Sequence, residues 1–162
     1  MNNAPVWLIE AFKYINLKEI KGSVHAPDIL QFWKDIKRGG IKDDETPWCA
    51  SFVGAMLERA GIRSTRFEGA SSYEQWGNEL LTPKYGCVVT FRRKGGSHVG
   101  FVVGSHPDGS LQVLGGNQND AVTIADFPRA RVSSLRWPIG YKLDNRILVQ
   151  VPMNSSGLPN MV

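Results

Sequence analysis

Cys49 stands in "TPWCASFVGAMLERAG" (46–61), a stretch whose apolar residues recur at helical spacing. Thr46 is placed to act as N-cap, Pro47 as first helical residue and Gly61 as the stop. Cys49 is then the third helical residue. Its N–H belongs to the turn that lacks intrahelical acceptors, and its sulfur sits at the positive end of the helix dipole. Such a site lowers a thiol pKa and favours the nucleophilic thiolate. The ordinary alternative is a small buried hydrophobe. A nucleophile also needs a base, and the base needs a group that orients it.

His98, in "RRKGGSHVGFVVG", lies where a Gly-Gly loop meets an apolar strand, and Gly100 leaves room beside the imidazole for a helix end or a substrate. Asn117 ends the next β-rich run, "LQVLGGNQND". If 98–104 pairs antiparallel with 111–116 through the "SHPDG" turn, His98 and Asn117 become cross-strand neighbours. The Asn117 amide oxygen then accepts from one ring N–H and turns the other nitrogen toward Cys49. In a different register Gln118 takes that role; otherwise it is a candidate substrate contact, together with Trp48, Tyr73 and Trp76. The ordinary alternative for "GGNQND" is a polar turn. The cluster Arg92-Arg93-Lys94 either rims the cleft or forms a solvated hairpin tip. Cys87, in "YGCVVTF", reads as core, His106 as an exposed turn residue and His25 as a loop residue. There is no Cys-x-x-Cys, and the three histidines are not at zinc-ligand spacing. No metal and no cofactor are expected.

The elements that must position these groups are helices first and strands second. "PVWLIEAFKYI", "APDILQFWKDIKRGG" and the Cys49 segment read as helices, and "SSYEQWGNEL" as a short fourth one capped by Ser71 or Ser72. The stripe Cys49, Val53, Met56, Leu57 and Ala60 is expected to face the sheet, with Ala50 and Gly54 allowing close approach. Beyond Pro83, "CVVTF", "HVGFVVG", "LQVLGG", "AVTIADF" and "RILVQV" read as strands between turn-rich segments. This order in a short chain predicts an α+β fold, residues 1–162 forming a single domain with a core over about 5–151 and a loosely ordered tail over 152–162.

With 42% hydrophobic and 21% charged residues, composition is that of a globular protein, and no run approaches the roughly 18 apolar residues of a membrane span. A net charge of +4 favours an anionic partner without naming one. No basic stripe with interleaved aromatics argues for nucleic acid. "MNNAPVWLIEAFKYIN" lacks the basic region and apolar core of a secretory signal, which predicts synthesis in the cytoplasm.

A helix-borne Cys, a strand-borne His and a polar residue on the following strand is the chain order of papain-like peptidases. The stretches "DDETPWCASFV", "YGCVVTFRR", "SHVGFVVG" and "VLGGNQND", with the helical "PDILQFW", resemble the CHAP domains (cysteine, histidine-dependent amidohydrolases/peptidases) and their NlpC-type relatives, nearest to a subgroup found in phage lysis enzymes. The resemblance spans most of residues 5–137. It implies a papain-like fold with N-terminal helices on a small antiparallel sheet, and a cysteine amidase or endopeptidase acting on bacterial peptidoglycan. Cys49 carries over as nucleophile, His98 as general base and Asn117 as its orienting residue. Action would be on the cell wall or periplasm after release or dedicated export, as a monomer, with neither nucleic acid nor membrane as partner. Two departures stand out: relatives often have an acidic residue where this chain has Cys87, and a glutamate where it has Gly115. The competing readings are a papain-like acyltransferase or transglutaminase, and a non-catalytic wall-binding module.

Overall fold

Proline sets the first two helix starts. In the computed structural model, which describes residues 3–20, 25–42, 47–154 and 157–159, α1 (Val6–Phe12) follows Pro5 and α2 (Pro27–Asp35) opens on Pro27, where a missing N–H costs no helical bond. α2 ends before the Gly-Gly pair, because Ile36 leaves helical geometry and Lys37 turns left-handed at φ 66°. α3 (Cys49–Arg59) starts two residues later than the Thr-Pro pattern predicts. Trp48 occupies its N-cap, so Cys49 is the first helical residue instead of the third; Thr46 lies outside the described residues. Gly61, at φ 81°, closes the helix as expected, and the Ile62 N–H returns to the Leu57 carbonyl at 2.9 Å.

The fourth helical segment is a 3₁₀ helix, Ala70–Gln75, with Gly69 at its N-cap. Ser72, expected as a cap, instead donates its hydroxyl to the Gly69 carbonyl at 2.7 Å. Six antiparallel strands follow: β1 (Asn78–Glu79), β2 (Val88–Arg93), β3 (Gly96–Ser105), β4 (Leu111–Gln118), β5 (Ala121–Phe127) and β6 (Val132–Trp137). They lie in the order β1-β6-β2-β3-β4-β5. The helices pack on this sheet, giving the expected α+β architecture.

One expected strand is misplaced. "RILVQV" (146–151) joins no ladder; it runs extended beside the far end of β3 and β4, where Ser105 N–H donates to Val149 O at 3.1 Å and the Gln112 side chain bonds both the N–H and the C=O of Val151. The sixth strand is β6, hidden in the sequence by Ser133 and Ser134. Their hydroxyls are accommodated by hydrogen bonds with buried Thr90.

α3 is buried on every side from Cys49 to Leu57, because α1 and α2 cover one flank and β3 and β4 the other. The one-sided stripe expected of it is thus only part of its buried surface. A Cβ at Gly54 would lie 2.6 Å from Ile36 Cγ2, so this small residue admits the end of α2. On the sheet side Gly116 has the matching role. A Cβ there would lie 2.7 Å from Trp48 Cζ3 and 2.8 Å from Phe52 Cβ. Gly116→Ala is therefore expected to overpack the α3–β4 seam and lower the unfolding free energy by about 2 kcal/mol, read as a lower denaturant midpoint at unchanged slope; an unaltered midpoint would show that the seam has slack.

Candidate active site

The β3–β4 register sets Phe101 opposite Leu114 and Val102 opposite Val113, a count that would place 117 opposite His98 if the ladder ran on past Phe101. The β4–β5 ladder breaks between Gly115 and Gln118, however, and Asn117 takes a left-handed φ of 56°. The residue that reaches the imidazole is consequently Gln118, whose Oε1 lies 2.9 Å from His98 Nε2. Asn117 makes no side-chain hydrogen bond among the described residues, and Gln118, expected at the substrate, is 6% exposed behind the ring.

The orientation of that amide is determined. Gln118 Nε2 donates to Val113 O (3.1 Å), Thr123 O (2.8 Å) and Thr123 Oγ1 (3.1 Å), so the other end, Oε1, must face the histidine. An amide oxygen only accepts, which puts the proton of the neutral imidazole on Nε2 and the lone pair on Nδ1. Nδ1 is buried without a hydrogen-bond partner. Gly115 makes the arrangement feasible: a Cβ there would lie 2.4 Å from Gln118 Oε1 and 3.4 Å from His98 Nε2. The ring is further fixed by stacking on Phe127 at 5.3 Å, interplanar angle 17°.

Cys49 meets the same strand from the helix side. Strand alternation puts His98 on the face opposite Phe101, which touches Phe52 of α3. The Cys49 sulfur sits at the helix tip, where the N–H groups of Val99, Ala50 and Cys49 itself are directed at it. The N–H that reaches the thiol thus belongs to the residue after His98 on β3, and no hydrogen bond joins thiol and imidazole. Gly100 does not provide the space expected of it, since a Cβ there would lie 2.5 Å from Val113 Cγ1; its bareness serves sheet packing.

Electrostatics contradict the expectation of a ready-made thiolate. Burial pushes the Cys49 thiol above its ordinary pKa, against smaller opposing effects of the Val99 N–H and the Arg93 charge. Burial likewise lowers His98 to about 4, with Arg93 adding to the depression and the Gln118 bond opposing it. Both groups are therefore neutral between those limits.

Cys49 opens onto a cleft of about 630 Å³, walled by Pro47, Gly69–Ser71 and the β2–β3 hairpin including Arg93 and Lys94. Two members of the basic cluster do rim it. Of the aromatics expected to line it, Trp48 and Tyr73 are wholly buried, and Trp76 borders a different hollow beside Gly61–Ser64, its Nε1 donating to Arg63 O. Apolar rings were drawn into the core by their area. His106 is not free in its turn, for its Nε2 pairs with Asp126 at 2.8 Å. Cys87 is fully buried and its thiol is pushed up to about 12 by burial. The stretch Asp43–Thr46, upstream of Cys49, where a further oxyanion donor is expected, lies outside the described residues. Among the described residues no cluster has the make-up of a metal site, and no helix is long and apolar enough to cross a membrane.

Residues 41–117 match the family model of the CHAP domain. The segment takes in Cys49, His98 and the cleft-lining hairpin between them, and the match supports a likeness to the CHAP type, with whose papain-like fold the α+β architecture is consistent. The match stops one residue short of Gln118. CHAP domains suggest peptidoglycan hydrolase or amidase-like activity. No curated protein matches the chain.

The buried imidazole has a consequence for stability. Its folded pKa lies below the ordinary 6.5, so between pH 6.5 and about 4 the unfolded chain binds a proton that the native chain does not. Stability contributed by the neutral ring is complete above pH 6.5 and declines by roughly 3 kcal/mol as the pH falls to 4. His106 acts with the opposite sign, since Asp126 raises its pKa. Urea unfolding of wild type and His98→Gln across this range isolates the effect: the variant is expected to lose the acid-dependent component, and parallel pH profiles would contradict the buried neutral ring.

Proposed function

We propose that the protein is a cysteine amidase or endopeptidase of bacterial peptidoglycan, with Cys49 as nucleophile, His98 as general base and Gln118, in place of Asn117, as the residue that orients the histidine. The observation that carries the reading is the buried Nδ1 of His98: a lone pair held in one tautomer by Gln118, without a partner, on the strand whose next N–H meets the Cys49 sulfur. A buried unpaired acceptor is costly and has a use as a base.

In the reaction, the Cys49 proton passes to His98 Nδ1 as Sγ attacks the amide carbonyl, so neither charge is borne alone in the resting site. The N–H groups of Cys49 and Ala50, at the open end of α3, are available to the developing oxyanion. Collapse of the tetrahedral species breaks the C–N bond, and the Nδ1 proton goes to the leaving amine. A water then gives its proton to Nδ1, attacks the thioester and returns Cys49 as thiol with the acid product. Throughout, Gln118 Oε1 retains the Nε2 proton and stabilises the imidazolium through one neutral hydrogen bond.

A lysis enzyme of the phage type fits these parts, as a catalytic unit that acts when it gains access to the wall. Purified peptidoglycan incubated with wild type is expected to lose turbidity and to yield fragments whose masses identify the amide cut. Cys49→Ala should fold and be inert, whereas Cys87→Ala should keep its activity. Gln118→Ala should lower kcat by up to about a hundredfold, since a small misplacement of the base is that costly, with little change in KM. Failure of a well-folded wild type to clear walls of several chemotypes would refute the hydrolase.

A further inference from the structure

Among the described residues, the cleft carries a positive charge that no carboxylate answers. Arg38, Arg59, Arg66 and Arg146 each have a carboxylate partner. Arg93, exposed at the end of β2, has neither an ion pair nor a side-chain hydrogen bond among the described residues, and the same is true of Lys94 beside it. Among the described residues, Glu68 is the acidic side chain lining the cleft, and it is already engaged by Arg38 at 3.4 Å. Arg93 is close enough for its charge to act on Cys49 and on His98 alike. The hairpin tip beyond it is bare: a Cβ at Gly95 or at Gly96 would meet nothing within 4 Å, so a peptide can lie against it.

We propose that Arg93, assisted by Lys94, is a carboxylate subsite of this cleft, and that the substrate is an acidic peptide with a free carboxylate beside the bond that is cut. The assignment rests on Cys49 as the nucleophile of the cleft. A guanidinium presents two parallel N–H donors that match the two oxygens of a carboxylate and cannot be matched by a carboxamide. Lys94 adds charge without that geometry. Because Arg93 lies on the Cys49 side of the hairpin, a carboxylate bound there fixes which neighbouring carbonyl faces the sulfur, and so selects the bond as well as the ligand.

Binding and turnover test this separately. The probe is the tetrapeptide Ala-γ-Glu-Lys-Ala, prepared with its carboxylates free or as primary amides. On Cys49→Ala protein, calorimetric titration is expected to show the free acid bound at least about tenfold more tightly, as a charge-assisted bidentate pair implies. Arg93→Gln in that background should erase the difference, and Arg93→Lys should restore part of it. Arg93 is exposed, and an unchanged thermal midpoint relative to Cys49→Ala verifies folding. Equal affinity for the two peptides, or a preference that survives Arg93→Gln, would overturn the subsite. Wild type that cuts both forms at equal kcat/KM would also overturn it while leaving the hydrolase intact. Arg93-dependent binding without any turnover of peptide or wall would leave the subsite standing and remove the hydrolase.

Discussion

The hydrogen bond between His98 Nε2 and Gln118 Oε1, 2.9 Å long and closed to water, is the constraint from which the geometry of the site follows. Three acceptors on Val113 and Thr123 hold the far end of the same amide, so the bond cannot be reversed by flipping the side chain. The tautomer of His98 is thereby settled by backbone carbonyls of β4 and β5, at a distance from the cleft. For the amide to reach the ring, β4 must break its ladder after Gly115, Asn117 must enter the left-handed region, and residue 115 must lack a side chain. Each of these is a local cost that makes sense only as part of this one contact.

Gly115 and Gln118 form a compensated pair. The CHAP resemblance leads one to expect a glutamate at 115, reaching the histidine from the regular part of the strand. Here the space of that side chain is filled by an amide arriving from three residues further on. A neutral amide in place of a carboxylate changes the chemistry: it orients the ring but offers the imidazolium no full counter-charge. Together with burial and the Arg93 cation, that keeps His98 near 4, well under its ordinary value. In the role proposed for it, His98 would thus be a weak base, unprotonated at mildly acid pH.

Much of this was legible in the sequence. The helix carrying Cys49, the β3–β4 hairpin and the register opposing 98 to 117 follow from apolar spacing and one turn, because local pattern and tertiary pairing agree there. What the pattern could not convey was the bulge. "GGNQND" reads as a turn, and a positive φ at an asparagine is decided by what the next side chain gains, here a buried partner. The only available signal was two glycines followed by two amides, which admits either residue. β6 escaped notice for a related reason, since its serines are polar in composition yet half-buried and bonded to the buried Thr90. The helix-dipole argument for an acidic thiol failed on magnitude. The dipole is a matter of tenths of a kcal/mol to about 2 kcal/mol, whereas removing a thiolate from water outweighs it at a site 4% exposed.

That failure shapes how the proposed mechanism would operate, with Cys49 as nucleophile and His98 as base. A thiol raised and an imidazole lowered by the same burial oppose an ion pair at rest, and Arg93 pulls down both pKa values, favouring thiolate while disfavouring imidazolium. Its field therefore largely cancels in the transfer of a proton from one to the other, leaving the neutral pair as the resting state. Activation then has to come with the substrate, whose carbonyl carbon takes the sulfur's electron pair as the proton leaves. The cost of charge separation in a dry site is confined to the moment when helix-start N–H groups can receive the negative charge on the carbonyl oxygen. The same burial that makes Cys49 look like an inert core residue protects it from indiscriminate chemistry, and lets a peptide correctly seated in the cleft, with its carbonyl against the tip of α3, be the event that switches it on.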